Sequence, residues 1–224
     1  MNPQSTIATV RVAGQDLMLL PEKAAFLPAS DTLLIADAHI GKAATFRHLG
    51  VPVPPGATGE TLAVLTSLVR RLEARRVVFL GDFLHSARSH VESTMDAVTE
   101  WREQHASLEL ILVRGNHDER AGDPPQHLEI ECVDEPLMHD DIALCHEPYA
   151  NLDAYVFAGH LHPCVSLGGR THDWHRLACF WFTPKFAVLP AFGSFTGMQA
   201  IQARRGERVF AATDERVFEL RPKR

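Results

Sequence analysis

Eight side chains that can hold or work beside a divalent cation stand at the ends of apolar runs: Asp37, His39, Asp82, Asn116, His117, His146, His160 and His162. The runs read LLIADAH (Leu33 to His39), VVFLGD (Val77 to Asp82), LILVRGNHD (Leu110 to Asp118), IALCH (Ile142 to His146) and YVFAGHLH (Tyr155 to His162). A hydrophobic strand that stops at Asp, Asn or His presents a polar group at its carboxyl end. Where such strands are parallel neighbours, those ends converge on one crevice. Two Asp, one Asn and several imidazoles make an oxygen and nitrogen donor set for Mn²⁺, Fe²⁺ or Zn²⁺, not for a structural Cys-bound zinc.

The local spacing supports that chemistry. Asp37-Ala38-His39 places two donors on one side of an extended segment, and His160-Leu161-His162 repeats this with two imidazoles. Gly81 and Gly115 precede donors and permit a tight turn with close backbone approach. Taken singly, an Asp or Asn at a strand end reads as a turn or cap, and a single His as a scaffold residue. Recurrence at five successive strand ends carries the metal reading.

The elements that must position these groups are legible as periodicities. Thr6 to Leu20 reads as a hairpin turning at Ala13-Gly14-Gln15-Asp16. Gly41 to Leu49 fits either a short helix or an active-site loop, and the Pro- and Gly-rich stretch Val51 to Gly59 excludes regular helix. Thr61 to Arg75 and Ser89 to His105 carry apolar residues at helical spacing: Leu62, Leu65, Leu68 or Val69 and Leu72 in the first; Val91, Met95, Val98 and Trp101 or Arg102 in the second. Strand and helix alternate as β-α-β-α-β, which implies right-handed crossovers and parallel strands. Beyond Pro163, Ala187 to Phe192, Arg208 to Ala212 and Arg216 to Leu220 read as strands. Strands at both ends of an α/β middle imply a second sheet packed on the first, in a single domain spanning 1–224.

Composition bounds the rest. With 46% hydrophobic residues, the 224-residue chain can bury a sizeable core. No apolar stretch reaches the roughly 18 residues of a membrane helix. The first residues lack a basic segment followed by an apolar core, so no secretory signal is expected. Cys132, Cys145, Cys164 and Cys179 form no C-x-x-C pair and read as reduced thiols of a cytoplasmic protein. The net charge of −6 argues against a uniformly basic nucleic-acid-coating surface, but not against a nucleic-acid substrate met at one cleft.

The series D-x-H, G-D, G-N-H-D, a lone His, then G-H-x-H resembles the calcineurin-like binuclear metallophosphoesterases, in order from Asp37 to His162. A narrower resemblance, to the ligase-associated DNA damage response endonucleases, rests on IGKAATFRHLGVPVPPG, GDFLHS, RGNHD, HEP, AGHLHP and AFGSFTG. The resemblance implies an α/β sandwich of four layers, two mixed sheets flanked by helices. It also implies two divalent metal ions, manganese being favoured over iron or zinc. Asp37, His39 and His162 would hold the first, Asn116, His146 and His160 the second, and Asp82 would bridge them. A hydroxide shared by the two metals would attack phosphorus, while His117, which would not be a ligand, would face the phosphate and serve the leaving group. Implied partners are a DNA substrate, an ATP-dependent DNA ligase and a helicase.

One departure stands out. Many members carry a second Asp three residues after the bridging Asp; here that position is His85, a candidate phosphate contact or proton donor. Lys42, Arg47 and His48 follow the first motif and read as cleft-lining or as a solvated helix face. Lys42 and Arg47 are the candidate substrate-binding cations beside Asn116, with Arg47 preferred as a bidentate phosphate clamp. Arg114 fits either the strand end or an acid partner, and the basic tail Arg221 to Arg224 reads as frayed. Trp174, Phe180, Trp181 and Phe182 fit core or dimer packing better than base stacking. Three functions compete: a DNA endonuclease of repair, a phosphodiesterase or phosphatase on small nucleotides or phosphoproteins, and a non-catalytic scaffold. The scaffold ranks last, because every ligand position and His117 are retained.

Overall fold

The computed structural model describes residues 6–53, 56–149, 152–168, 174–194 and 196–220, with the backbone alone at Trp174. The tail Arg221 to Arg224, Pro54 and Pro55, and the Trp174 side chain therefore lie outside the described residues.

Two mixed β-sheets face one another. The first has the order β1 (Ala8–Val12), β2 (Gln15–Leu19), β3 (Ala25–Leu27), β4 (Thr32–Ala36), β5 (Arg76–Leu80), β6 (Glu109–Val113), β7 (Ile130–Val133). Its first four strands form an antiparallel meander, whereas β4 to β7 run parallel. The second sheet is built from β8 (Leu137–His139), β9 (Ile142–Leu144), β10 (Tyr155–Ala158), β11 (Pro163–Gly168), β12 (Trp174–Phe182), β13 (Phe186–Val188), β14 (Gln199–Ala200), β15 (Arg208–Ala212) and β16 (Val217–Leu220). At its centre β9, β10 and β13 are parallel, and β12 joins them to β11 and β15 by antiparallel pairing.

Period-two alternation sends each strand of the first sheet to two cores. Leu33, Ile35, Val77, Phe79, Leu110 and Leu112 face the helix side. Leu34, Val78, Leu80, Ile111 and Val113 meet Leu144, Phe157, Phe180, Phe182 and Phe210 of the second sheet. The helices are α1 (Lys42–His48), α2 (Ala57–Leu72), α3 (Glu92–Gln104) and the short α4 (Asn116–Ala121). Leu62, Leu65, Leu68 and Val69 of α2 and Val98 and Trp101 of α3 cover the first sheet, so two mixed sheets flanked by helices are the architecture. On the outer face of the second sheet, Ala143, Cys145, Val156 and Ala158 are covered among the described residues by Leu152, Ala154 and Phe186, with no helix above them.

Several expected boundaries move for local reasons. The hairpin turns on Ala13 and Gly14 alone, both at positive φ, and Gln15 and Asp16 already pair in β2. Helix α2 begins at Ala57, so Ala57 to Gly59 are helical after all; a chain leaving a proline can enter a helix, and Gly56 supplies a left-handed start. That helix ends at Leu72 rather than Arg75, on Glu73 in the left-handed conformation. Residues 42–48 are helix rather than loop. Val91 stands before α3 and is exposed, whereas Arg102 is buried and donates to the carbonyls of Leu128, His105 and Leu108. The segment after Val188 leaves its sheet, and Phe192 and Gly193 donate to the carbonyls of Ala36 and Asp37. Phe180 and Phe182 are core residues, which removes them from base stacking, while the partly buried Trp181 donates from Nε1 to Glu207 and packs edge-on against Phe186.

Phe157 is wholly buried on the inter-sheet side of β10, two residues before Gly159. Phe157→Ala is expected to lower stability by about 3–5 kcal/mol, read as an earlier midpoint in urea unfolding with little change in slope.

Candidate metal centre

Three strand ends of the first sheet and two of the second open on the same edge of the sandwich. Asp37, Asp82 and Asn116 follow β4, β5 and β6; His146 and His160 follow β9 and β10. One crevice does form, but between two sheets rather than within one. After β6 the chain adds one more parallel strand, β7, to the first sheet and then passes directly into β8 of the second.

Left-handed turns, not extended backbone, bring the paired donors together. Asp37, His39, Asp82, His160 and His162 all have φ between +45° and +67°. For residues with a Cβ this conformation costs about 1–2 kcal/mol each, and such strain gathers at functional sites. The loops that hold these turns continue the parallel ladder: His39 N donates to Asp82 O at 2.8 Å and Ile40 N to Phe83 O at 2.7 Å. Glycine is required where the walls meet. A Cβ at Gly81 would lie 2.1 Å from His146 Nδ1, and one at Gly115 would lie 2.5 Å from Asp82 Oδ1.

All seven ligand candidates converge. His146 Nε2 lies 3.0 Å from Asn116 Oδ1, 3.0 Å from His160 Nδ1 and 3.5 Å from Asp82 Oδ1. The other Asp82 oxygen, Oδ2, lies 3.8 Å from His39 Nε2, so this carboxylate faces both halves of the centre. Asp37 Oδ1 is 3.2 Å from His162 Nε2, and Asp37, His39 and His162 form a compact donor group. Asp37, Asp82 and His146 are at most 2% exposed.

The donor orientations fit bound cations. His146 Nδ1 faces the Leu80 carbonyl at 3.1 Å and donates its proton there, which leaves a lone pair on Nε2. That lone pair points at Asn116 and Asp82 oxygens, themselves acceptors. His162 repeats the pattern: Nδ1 donates to Gly197 O at 2.9 Å, and Nε2 faces Asp37. His39 Nδ1 is buried without a hydrogen-bond partner, and burial lowers the affinity of that ring for a proton. Converging lone pairs around two buried carboxylates are satisfied by metal ions. Burial also raises the Asp82 pKa, a tendency His146 opposes.

Beside this centre, His117 N donates to Asp82 Oδ1 at 2.9 Å and so fixes the carboxylate. His117 Nδ1 donates to the backbone carbonyl of His85 at 2.6 Å, which leaves Nε2 facing the crevice, 3.9 Å from Asp82 Oδ2. The orienting carboxylate of the usual pattern is thus replaced by a main-chain oxygen. The His85 ring stacks on His117, with centroids 5.1 Å apart. Burial, then Lys42 and His117, lower the His85 pKa to about 4, so the ring is neutral near pH 7.

Lys42 begins α1 and is close enough for Asp37 and Asp82 to raise its proton affinity against burial, the larger effect. Arg47 is exposed in the last turn of the same helix. Arg114 turns away from the centre and pairs with Asp123 and Asp134 at 2.8 Å. Cys145 and Cys164 are buried free thiols outside the donor groups, and burial pushes Cys145 up to about 12.

Two supporting acids escaped the sequence reading. Asp118 is buried and accepts from the amides of Gly115, Leu84 and Phe83, tying the GNHD turn to the loop after Asp82. Its place three residues after Gly115, at the start of a helix, was the available signal. Glu135 accepts from the amides of His146 and Glu147 and from the Tyr149 hydroxyl. Nothing in its sequence context marks it.

The family model for calcineurin-like phosphoesterases matches residues 31–152, more than half of the chain. The chain belongs to that family. A nuclease, MPE of Pseudomonas putida, is similar in structure at 39% identity and a TM-score of 0.86, over 96% of this chain and 100% of that one. The phosphoesterase Yfce of E. coli aligns at 13% identity and a TM-score of 0.44, over 84% of this chain and 97% of that one. Among curated proteins none matches. The family uses a dinuclear metal site, and this phosphoesterase is a metal-dependent hydrolase of phosphoester bonds. Among the described residues no helix is long and apolar enough to cross a membrane.

Two measurements follow from the geometry. Saturating metal at about 100 times its Kd is worth about 2.7 kcal/mol, so chelation is expected to lower Tm by roughly 5–10 °C, reversed by adding back Mn²⁺. Gly81→Ala, which drives a methyl into the His146 ring, is expected to reduce metal content from two ions per chain toward one, read by elemental analysis.

Proposed function

We propose that this phosphoesterase is a manganese-dependent DNA endonuclease of the cytoplasm, acting in repair with an ATP-dependent ligase and a helicase. The observation that carries the nuclease reading is the 39% identity over nearly the whole chain to the Pseudomonas putida nuclease, together with the complete ligand series. Repair partners and manganese rest on the narrower motif resemblance. We also read residues 1–224 as one domain, because both sheets share the core around Phe157 and Val217 N bonds back to Thr6 O.

Asp37, His39 and His162 would hold one metal, and Asn116, His146 and His160 the other, with Asp82 between them. When bound, the metal pair supplies a low-pKa water as nucleophile and positive charge against the phosphoryl oxygens. The remaining steps belong to the chain. Asp82 is fixed by the His117 amide, so its two oxygens stay aimed at both halves of the centre. The imidazolium form of His117, with Nδ1–H committed to the His85 carbonyl, gives its Nε2 proton to the leaving oxygen and is left as the neutral Nδ1–H tautomer. The neutral His85 ring, stacked on His117, is a phosphate contact rather than a second acid. Lys42 is the cation set against the phosphate, and Arg47, further along α1, meets the strand beyond it.

His117→Ala is expected to keep two metals and the native Tm while turnover of a bis-aryl phosphate diester and nicking of single-stranded circular DNA fall by about 10²–10⁴. Wild-type enzyme that hydrolyses an aryl monoester but neither diester nor circle would replace the nuclease with a phosphatase. Unchanged cellular function in His117→Ala would favour a scaffold.

A further inference from the structure

His162 also faces away from the other ligand candidates, onto a hollow of its own. This cavity of about 190 Å³ is lined by Lys23, His162, Ser194, Thr196 and Met198 among others. On the far side of Lys23 lies a second hollow of about 240 Å³, which also touches Glu22, Thr61, Ser194 and Asp214. A third, much tighter hollow beside His39 and Lys42 reaches Thr61 and Ser194 as well. Ser194 borders all three, and Lys23 and the ligand candidate His162 line the same hollow.

Lys23 is partly buried in the turn between β2 and β3, a turn closed by its own amide on Leu20 O at 3.0 Å. Among the described residues its ammonium makes no hydrogen bond and no ion pair within 4 Å. The two acids nearby do not neutralise it: Glu22 is held by Arg71 at 2.8 Å, and Asp214 acts only at longer range. Burial lowers the proton affinity of this amine and Asp214 raises it. An ammonium carries three donors and prefers strong acceptors. The described walls of the smaller cavity include no Phe, Tyr or Trp, and their one aromatic ring, His162, is a metal-ligand candidate. What fits is an anionic oxygen carried on a chain that also reaches the metals.

We propose that Lys23 and Ser194 form a subsite for a phosphate flanking the scissile bond, so that the enzyme binds a continuous strand and not an isolated diester. The inference rests on the nuclease reading and names where the strand leaves the metal centre. Lys42 would meet the phosphate being cut, and Lys23 its neighbour.

The test compares a dinucleotide with a single phosphodiester, a tetranucleotide and a bis-aryl phosphate, all with manganese-loaded full-length enzyme. Lys23→Met is expected to raise KM for the tetranucleotide about tenfold, the size of one lost charge-assisted contact, and to affect the other two substrates much less. Its plot of log KM against log salt should flatten by about 0.7, one single-strand phosphate. Lys23→Arg should recover both. Asp214→Asn, which removes the competing acid, should lower KM for the tetranucleotide. Equal loss on all three substrates with no effect of Asp214→Asn, or an unchanged salt slope, overturns the subsite while leaving the nuclease standing. Wild type that turns over the aryl diester but cuts no oligonucleotide overturns the nuclease, and the subsite with it.

Discussion

Lone pairs converge at the carboxyl edge of the two sheets, around two buried carboxylates. His146 gives its one proton to a backbone carbonyl and then faces an amide oxygen and a carboxylate. His162 does the same toward Asp37. In these neutral tautomers lone pair faces lone pair at Asn116, Asp82 and Asp37, while His160 Nδ1 can donate to His146 Nε2. The two carboxylates are buried, and a buried unpaired charge costs several kcal/mol even after relaxation. Five of the seven donors also hold left-handed backbone. The site is thus a local conflict that metal ions resolve, and the two apolar cores are what hold it in place meanwhile.

That conflict explains why the donors are divided between two sheets. A single parallel sheet would line up strand ends in one row, with side chains fanning outward. Facing sheets let Asp82 be approached from one side by His39 and from the other by His146. The close approach is possible only because Gly81 and Gly115 leave room for the His146 ring and the Asp82 carboxylate. The segment through Phe192 and Gly193 then crosses over the turn after β4 and binds the carbonyls of Ala36 and Asp37. This crossing ties the second sheet to the first beside the left-handed turn at Asp37 and His39.

Much of this was legible from residue order. Apolar runs ending in donors identified β4, β5, β6, β9 and β10, because buried parallel strands need nearly continuous hydrophobicity and their ends need polar termini. Leu62, Leu65 and Leu68 marked α2 for the same reason. Which sheet each strand joins was not legible, since periodicity describes one strand's faces and says nothing of its neighbours. Nor was the left-handed geometry of Asp37 and His39: a D-x-H spacing fits an extended segment equally well, and only contacts with residues 81–85 and 193 select the turn. Glu135 was invisible because two of its three partners are backbone amides, which carry no sequence identity, and the third, Tyr149, lies 14 residues away.

His85 shows how a departure from a family pattern can be absorbed. An imidazolium that gives up its Nε2 proton keeps the one on Nδ1, and a carboxylate side chain is one way to hold that N–H. Here the main-chain oxygen of the same residue does so at 2.6 Å. A carbonyl cannot take up the proton, so it orients His117 without adding a negative charge beside Asp82. The side chain at position 85 is then released from orientation. It stacks on His117 as a ring that burial keeps neutral. A neutral ring repels an approaching phosphodiester less than a carboxylate would, and it retains a nitrogen able to donate. On electrostatic grounds an imidazole at this position favours an anionic substrate more than a carboxylate would.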